Sequence, residues 1–237
     1  MTTSNRILAR ALNWTHVLAW GLVGGMAVAF TPLAAAFPVA PASAVCSGSW
    51  FDNGFPGGDF YGCAGVIDGV VDDTVPGGEG GGSASYWLGR EQTLNETFTV
   101  DLGGDFKITA LDLYNTHNGI NPDSNDRGTL HFKVWISSDP VIPDTVSASF
   151  GTQVLDADLA FFPFTNPNPK QSFDIADTTG RYVTFRAETY QGAEDLTGFP
   201  AVGAGLSEIV IQTPEPATLA LLALGIAGIG YSRRKSS

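Results

Sequence analysis

Two groups of residues in this sequence have the types and spacing to do chemistry. The first is Asp68, Asp72, Asp73 and Thr74, hard oxygen donors packed around Gly69, which permits a tight turn. A donor set of oxygens alone suits calcium, which takes about six to eight of them and accepts backbone carbonyls. The competing reading is a solvated acidic turn. The second group lies in the polar stretch 115–128, NTHNGINPDSNDRG, where Asn115, His117, Asn118 and Arg127 offer donors and acceptors without any periodicity. A hairpin needs fewer residues than this, and long ordered loops are often functional. An EF-hand reading of residues 123–134 fails, because Arg127 stands at the fifth loop position and Val134 at the twelfth, where oxygen ligands are required.

Catalysis finds little support. Between the two apolar ends of the chain the only histidines are His117 and His131, and no GxSxG, HExxH or reactive-cysteine signature is present. The glycine run at 77–82 lacks the lysine and following helix of a phosphate-binding loop. All 24 acidic residues fall between positions 45 and 216 with seven of the 12 basic ones, so this region carries 7 − 24 = −17. A field of that sign repels nucleic acid and anionic lipid and attracts cations. The sequence therefore reads as a non-catalytic module that does not bind nucleic acid.

The polar stretch is held between two strands. Phe106, Ile108, Ala110, Asp112 and Tyr114 alternate with Lys107, Thr109, Leu111, Leu113 and Asn115. After the loop, Leu130, Phe132, Val134 and Ile136 alternate with His131, Lys133, Trp135 and Ser137. A two-residue period of β-branched and aromatic side chains marks strands with one face in a core. Leu111 and Leu113 suggest that the far face of the first is partly covered. Further strands are predicted at 96–102, turned by Gly103-Gly104 into the next, at 173–175, at 181–190 after Gly180, and at 206–212. No amphipathic helix is evident between 45 and 212. Short strands punctuated by Gly, Pro and Asn predict an all-β sandwich.

Both ends read as targeting segments. Arg6 and Arg10 precede an apolar run over 17–37, and Ala42-Ser43-Ala44 supplies a small-x-small cleavage signal, with Ala36 as the second choice. This makes 1–44 a signal peptide helix and places the acidic region beyond the inner membrane. In an exported chain Cys46 and Cys63 are expected to pair, pinning an N-terminal arm at 45–63. At the other end, apolar residues 217–231 form a short hydrophobic helix of about 22 Å, less than the ~30 Å hydrocarbon core.

Two resemblances follow from these pieces. Pro214, Glu215 and Pro216, the apolar helix and the terminal Arg233, Arg234 and Lys235 resemble the PEP-CTERM sorting signal of exopolysaccharide-producing Gram-negative bacteria. The resemblance implies that 213–237 is a sorting tail recognised by an exosortase-type processing enzyme at the cell envelope. The middle, 64–212, is similar to the discoidin, or coagulation-factor type C, group of galactose-binding-like domains. The matching pieces are FTVDLG (98–103), ITALDL (108–113), NTHNG (115–119), NDRGT (125–129), FKVWISSD (132–139), GRYVTFRAETY (180–190) and GLSEIVI (205–211). This implies a jelly-roll β-sandwich with a structural Ca2+ where the first loop meets the last strand. Its ligands would come from Asp68, Asp72 or Asp73, Thr74 and Glu208, with backbone carbonyls completing the shell.

Sugar-binding members of the group use loops at one end. Their nearest equivalents here are Asn115, His117, Asn118, Arg127 and Phe199, the last as a stacking platform. The competing readings are that Arg127 only braces its loop, that His117 holds a backbone carbonyl, and that Phe199 fills core. The implied function is an exported carbohydrate-binding module acting on extracellular polysaccharide. The alternative is a structural or adhesive surface protein with no sugar site.

Overall fold

The structure, a computed structural model, describes residues 36–49, 60–72, 84–90, 93–117, 127–162, 165, 167–191 and 203–214. Its strands are β1 (Ala36–Val39), β2 (Ser43–Cys46), β3 (Trp87–Leu88), β4 (Glu96–Asn115), β5 (His131–Ser137), β6 (Thr152–Asp158), β7 (Lys170–Ala187) and β8 (Gly205–Pro214), with one 3-10 turn at Cys63–Ile67. All described residues belong to one unit, Ala34–Ser237; the other, Met1–Leu33, lies outside them. Among the described residues no helix is long and apolar enough to cross a membrane. The helix expected at 217–231 and residues 1–35 of the one expected at 1–44 fall outside the described residues. Within 36–44 the structure has strand, not helix, at Ala36–Val39 and from Ser43 on, because these residues pair with β8 and β4.

Two strands longer than the sequence suggests organise the sandwich. β4 and β7, of 20 and 18 residues, pair antiparallel along nearly their whole length. The register shifts between Asp101 and Phe106, where the Asp101 carboxylate accepts from the Gly103 amide at 2.7 Å. On one side of this corner the ribbon is flanked by β2 and by β5, which carries β6. On the other side it is flanked by β8, which carries β1 and β3. One bent ribbon thus feeds both layers. Gly103-Gly104, expected to turn one strand into the next, and Gly180, expected to precede one, instead lie within β4 and β7. At Gly180 the reason is close approach, since a Cβ there would stand 2.9 Å from the Ser137 carbonyl oxygen.

Inner faces of both layers fill one core. Phe98, Val100, Val183, Phe185, Phe132, Val134 and Ile136 from the first meet Ile108, Leu111, Leu113, Leu206, Ile209 and Ile211 from the second. Aromatic rings run through it: Trp87 sits edge-on to Phe98, and Phe98 and Phe132 both stack on Phe185. Each such side chain, fully buried, contributes about 1.5–3 kcal/mol.

The strict alternation expected along 106–115 is broken. A register shift between Ile108 and Ala110 brings Leu111 and Leu113 to the core side with Ile108. Along β5 the alternation holds, yet Trp135 on its other face is buried too. It packs on Phe150, with Arg186 4.7 Å from its ring centre. The 138–151 connection lies over this face, held by Arg186 on the Ser147 carbonyl and by Thr97 on that of Asp144.

Pairing fixes what lies at each end. Asn115 pairs with Leu206 near the start of β8, so the connections after β4, β6 and β7 gather at one end. Chain entry and exit lie at the other, where Ala36 is the partner of Pro214. The 10 residues of β8 separate these ends by about 30 Å. The Cys46–Cys63 disulfide ties β2 to the 3-10 turn, as expected.

Candidate functional site

The crown of the sandwich is built from the flanks of the polar stretch. Asn115 ends β4, and its amide donates to the Thr129 and Ala160 carbonyls at 2.8 and 3.3 Å while accepting from the Thr129 N–H at 2.9 Å. Its side chain therefore joins the connection after β4 to the one after β6. Thr129 donates to the Gly205 carbonyl, and Gln191 donates to that of Leu159 at 2.6 Å. Backbone bonds from Gly128 to Gly203, and from Gln191 to Gly128, close the circle. Three connections from different strands are thus stitched into one surface.

Of the residues proposed to contact sugar, three fall within the described part. Asn115, His117 and Arg127 are only 5%, 2% and 4% exposed, so each is committed to the interior of the crown. His117 Nε2 donates to the Thr165 carbonyl at 2.8 Å. Arg127 donates to the Tyr86 hydroxyl at 2.8 Å and lies over the rings of Tyr61 and Tyr86, 5.6 and 5.9 Å from their centres. A guanidinium between two tyrosines gains cation–π attraction that helps offset its desolvation. Tyr61 and Tyr86 escaped the sequence reading, because they lie far from Arg127 along the chain and carry no motif. Asn118 and Phe199 lie outside the described residues.

The acidic group lies where the turn after Cys63–Ile67 meets β8. Gly69 has φ +80°, and its amide donates to Glu208 Oε2 at 3.2 Å, while Val70 donates to Asp68 Oδ1 at 2.8 Å. The turn is tied down further. Ser85 donates to the Asp72 carbonyl and the Asn168 amide donates to that of Val71. Burial of Glu208, then the charge of Asp68, pushes its carboxyl up to about 8. Asp68 is raised as well, by burial first and by the Asp72 charge. Asp73 and Thr74 lie outside the described residues. Among the described residues no three His, Cys, Asp or Glu side chains form a metal-binding group.

A third cluster was not foreseen. His131 on β5 meets Asp158 at 2.7 Å, Asp156 at 3.1 Å and Glu188 at 3.6 Å. Glu188 is also held by Lys133 and Arg186, and these cations, after the opposing effect of burial, set its carboxyl below the ordinary value. The only sequence signal was that His131 and Lys133 share a strand face.

Residues 212–235 match the PEP-CTERM protein-sorting motif, so the chain carries a signal for export and cell-surface sorting in bacteria. Pro214 of the motif closes β8; Glu215 and Pro216 lie outside the described residues. No curated protein sequence matches the chain. Among solved structures it is similar to truncated AlyQ with CBM32 and alginate lyase domains, at TM-score 0.50 and 17% identity, over 78% of this chain and 35% of that one. The chain thus spans 35% of the length of that protein. It is also similar to the CBM32 of AlyQ in complex with 4,5-unsaturated mannuronic acid, at TM-score 0.46 and 18% identity, covering 74% and 97% of the two chains. A third neighbour is the family 32 CBM from C. perfringens NanJ in complex with galactose, at TM-score 0.45 and 13% identity, over 75% and 97%. The likeness speaks to the fold: an all-β sandwich whose structural neighbours are discoidin-like, galactose-binding-like modules.

Proposed function

We propose that this protein is an exported, non-catalytic carbohydrate-binding module whose ligand is an extracellular polysaccharide at the cell envelope of a Gram-negative bacterium. The observation that carries the reading is the crown. Three connections converge there on a sandwich with galactose-binding-like neighbours, about 30 Å from the end where the sorting tail departs. An exosortase-type enzyme acting on Pro214, Glu215 and Pro216 would leave that crown facing away from the membrane. Asn115, His117 and Arg127 hold the crown's shape, and Asn118 and Phe199 are the proposed sugar contacts. The charge of −17 between residues 45 and 216 favours neutral or cationic polymers over anionic ones.

The Asp68–Glu208 junction is proposed as a calcium site. Its donors are oxygens only, and two raised carboxyls share it, which is the environment a divalent cation relieves. Asp68 and Glu208 would hold the ion with Asp73, Thr74 and backbone carbonyls, since the Asp72 side chain is not gathered with those of Asp68 and Glu208 into one group. Bound there, it would supply charge neutralisation and lock the first turn to the last strand.

A second reading keeps one observation in its favour. Because Asn115, His117 and Arg127 are all buried, the sandwich could serve as a structural or adhesive surface protein. Affinity electrophoresis of the exported protein in gels cast with neutral, cationic and anionic polysaccharides separates the two. Retardation in a neutral or cationic gel supports the binding module, and unaltered mobility in every gel supports the adhesive protein.

A further inference from the structure

The export signal has two small-x-small sites, ending at Ala36 and at Ala44, and the fold distinguishes them. Residues between the two sites are part of the sandwich. In β1, Phe37, Pro38 and Val39 pair with Thr213, Gln212 and Ile211 at the edge of the second layer. In β2, Ser43 and Ala44 pair with Asp101 and Val100. The Ala42 amide donates to the Asp101 carbonyl at 2.8 Å, and Thr213 Oγ1 donates to the Phe37 carbonyl at 3.2 Å. Val39 and Ala44 pack against the main core. Pro38 suits β1 because an edge strand tolerates a residue without an amide donor.

Cutting after Ala44 would delete all of β1 and the first half of β2. It would bare the β8 edge from Ile211 to Pro214, immediately before the sorting tail, and leave Cys46 one residue from a free terminus. Cutting after Ala36 spares the pairs from Phe37 onward. We propose that the export signal is hydrolysed between Ala36 and Phe37. Water adds across that peptide bond, leaving a carboxylate on Ala36 and an α-amine on Phe37. The mature N-terminus then begins a strand that holds β8 in place up to the sorting motif. This inference rests on the export reading.

The test is to express the full chain in an exporting bacterial host and determine its N-terminus by mass spectrometry, alongside Ala36→Val and Ala44→Val. The wild type and Ala44→Val are expected to begin at Phe37, and Ala36→Val to lose that terminus. A wild-type terminus at Val45, or loss of processing in Ala44→Val, overturns the proposal while leaving export intact. A chain retained uncut in the cytoplasm overturns both.

Discussion

The crown around Asn115 and Arg127 and the junction of Asp68 with Glu208 are both polar, and Asn115, Arg127 and Glu208 are buried while Asp68 is exposed, yet the two are opposites. At the crown, Asn115 meets carbonyls and an amide, and Arg127 meets a hydroxyl and two aromatic faces. At the junction, carboxylates meet a few backbone amides and one another, and their protons are held more tightly as a result. A polar cluster matched from within the chain supports structure. One carrying excess like charge suits the cation proposed for it. The residues most conspicuous in the sequence, His117 and Arg127, belong to the first kind.

The largest effect that would sharpen this contrast comes from the disulfide, which pins the turn leading to Asp68. Replacing Cys46 and Cys63 together by Ser, with their sequence separation of 17, is expected to cost about 3 kcal/mol in urea unfolding. Calcium affinity should fall with it, while any polysaccharide binding by the folded fraction stays unchanged. Next is Asn115→Ala, which leaves the buried Thr129 amide without its partner and takes one of two donors from the Thr129 and Ala160 carbonyls, and should cost about 2 kcal/mol. That loss should be the same with and without calcium; a calcium-dependent loss would blur the contrast.

Glu208→Gln should act in the opposite sense. Its folded carboxyl titrates at about 8 against an ordinary 4.5, so between those values the folded state holds a proton that the unfolded state has lost. Metal-free stability is therefore greatest at the acid side of this window and falls as pH rises through it. The depressed Asp101, Asp144 and Glu188 act at lower pH, where their contribution is lost on acidification. In the metal-free protein at pH 8, Glu208→Gln is expected to raise stability by about 1 kcal/mol, with a smaller change at pH 5. It should also remove the calcium-induced rise in Tm that ligand binding to the folded state requires. A wild-type Tm unmoved by calcium at pH 8 would end the metal reading.

Much of the sandwich was legible where one rule acted alone. The alternation of Phe132, Val134 and Ile136 held because β5 follows an uninterrupted two-residue period. It failed wherever the backbone departed from that period. The shift after Ile108 moves Leu111 and Leu113 to the core, and Gly103 read as a turn and Gly180 as the residue before a strand, although tertiary pairing carries both strands through them. β1 and the start of β2 were hidden because small and apolar residues before Cys46 satisfy a signal peptide and an edge strand equally well. At the sites, Asp68 and Glu208 could be brought together only by resemblance, 139 residues apart in the pair formed by Gly69 and Glu208. The tyrosines around Arg127 carried no signal, since packing partners distant along the chain leave no periodic trace.

The most direct test of the central claim is calorimetric titration of the folded, calcium-loaded protein with a polysaccharide that retards it, comparing wild type with Asn118→Ala and Phe199→Ala. The account predicts saturable binding by the wild type and at least a tenfold loss, about 1.4 kcal/mol, in each variant without a change in Tm. Equal binding by all three proteins, or no polysaccharide bound by any of them, would contradict it.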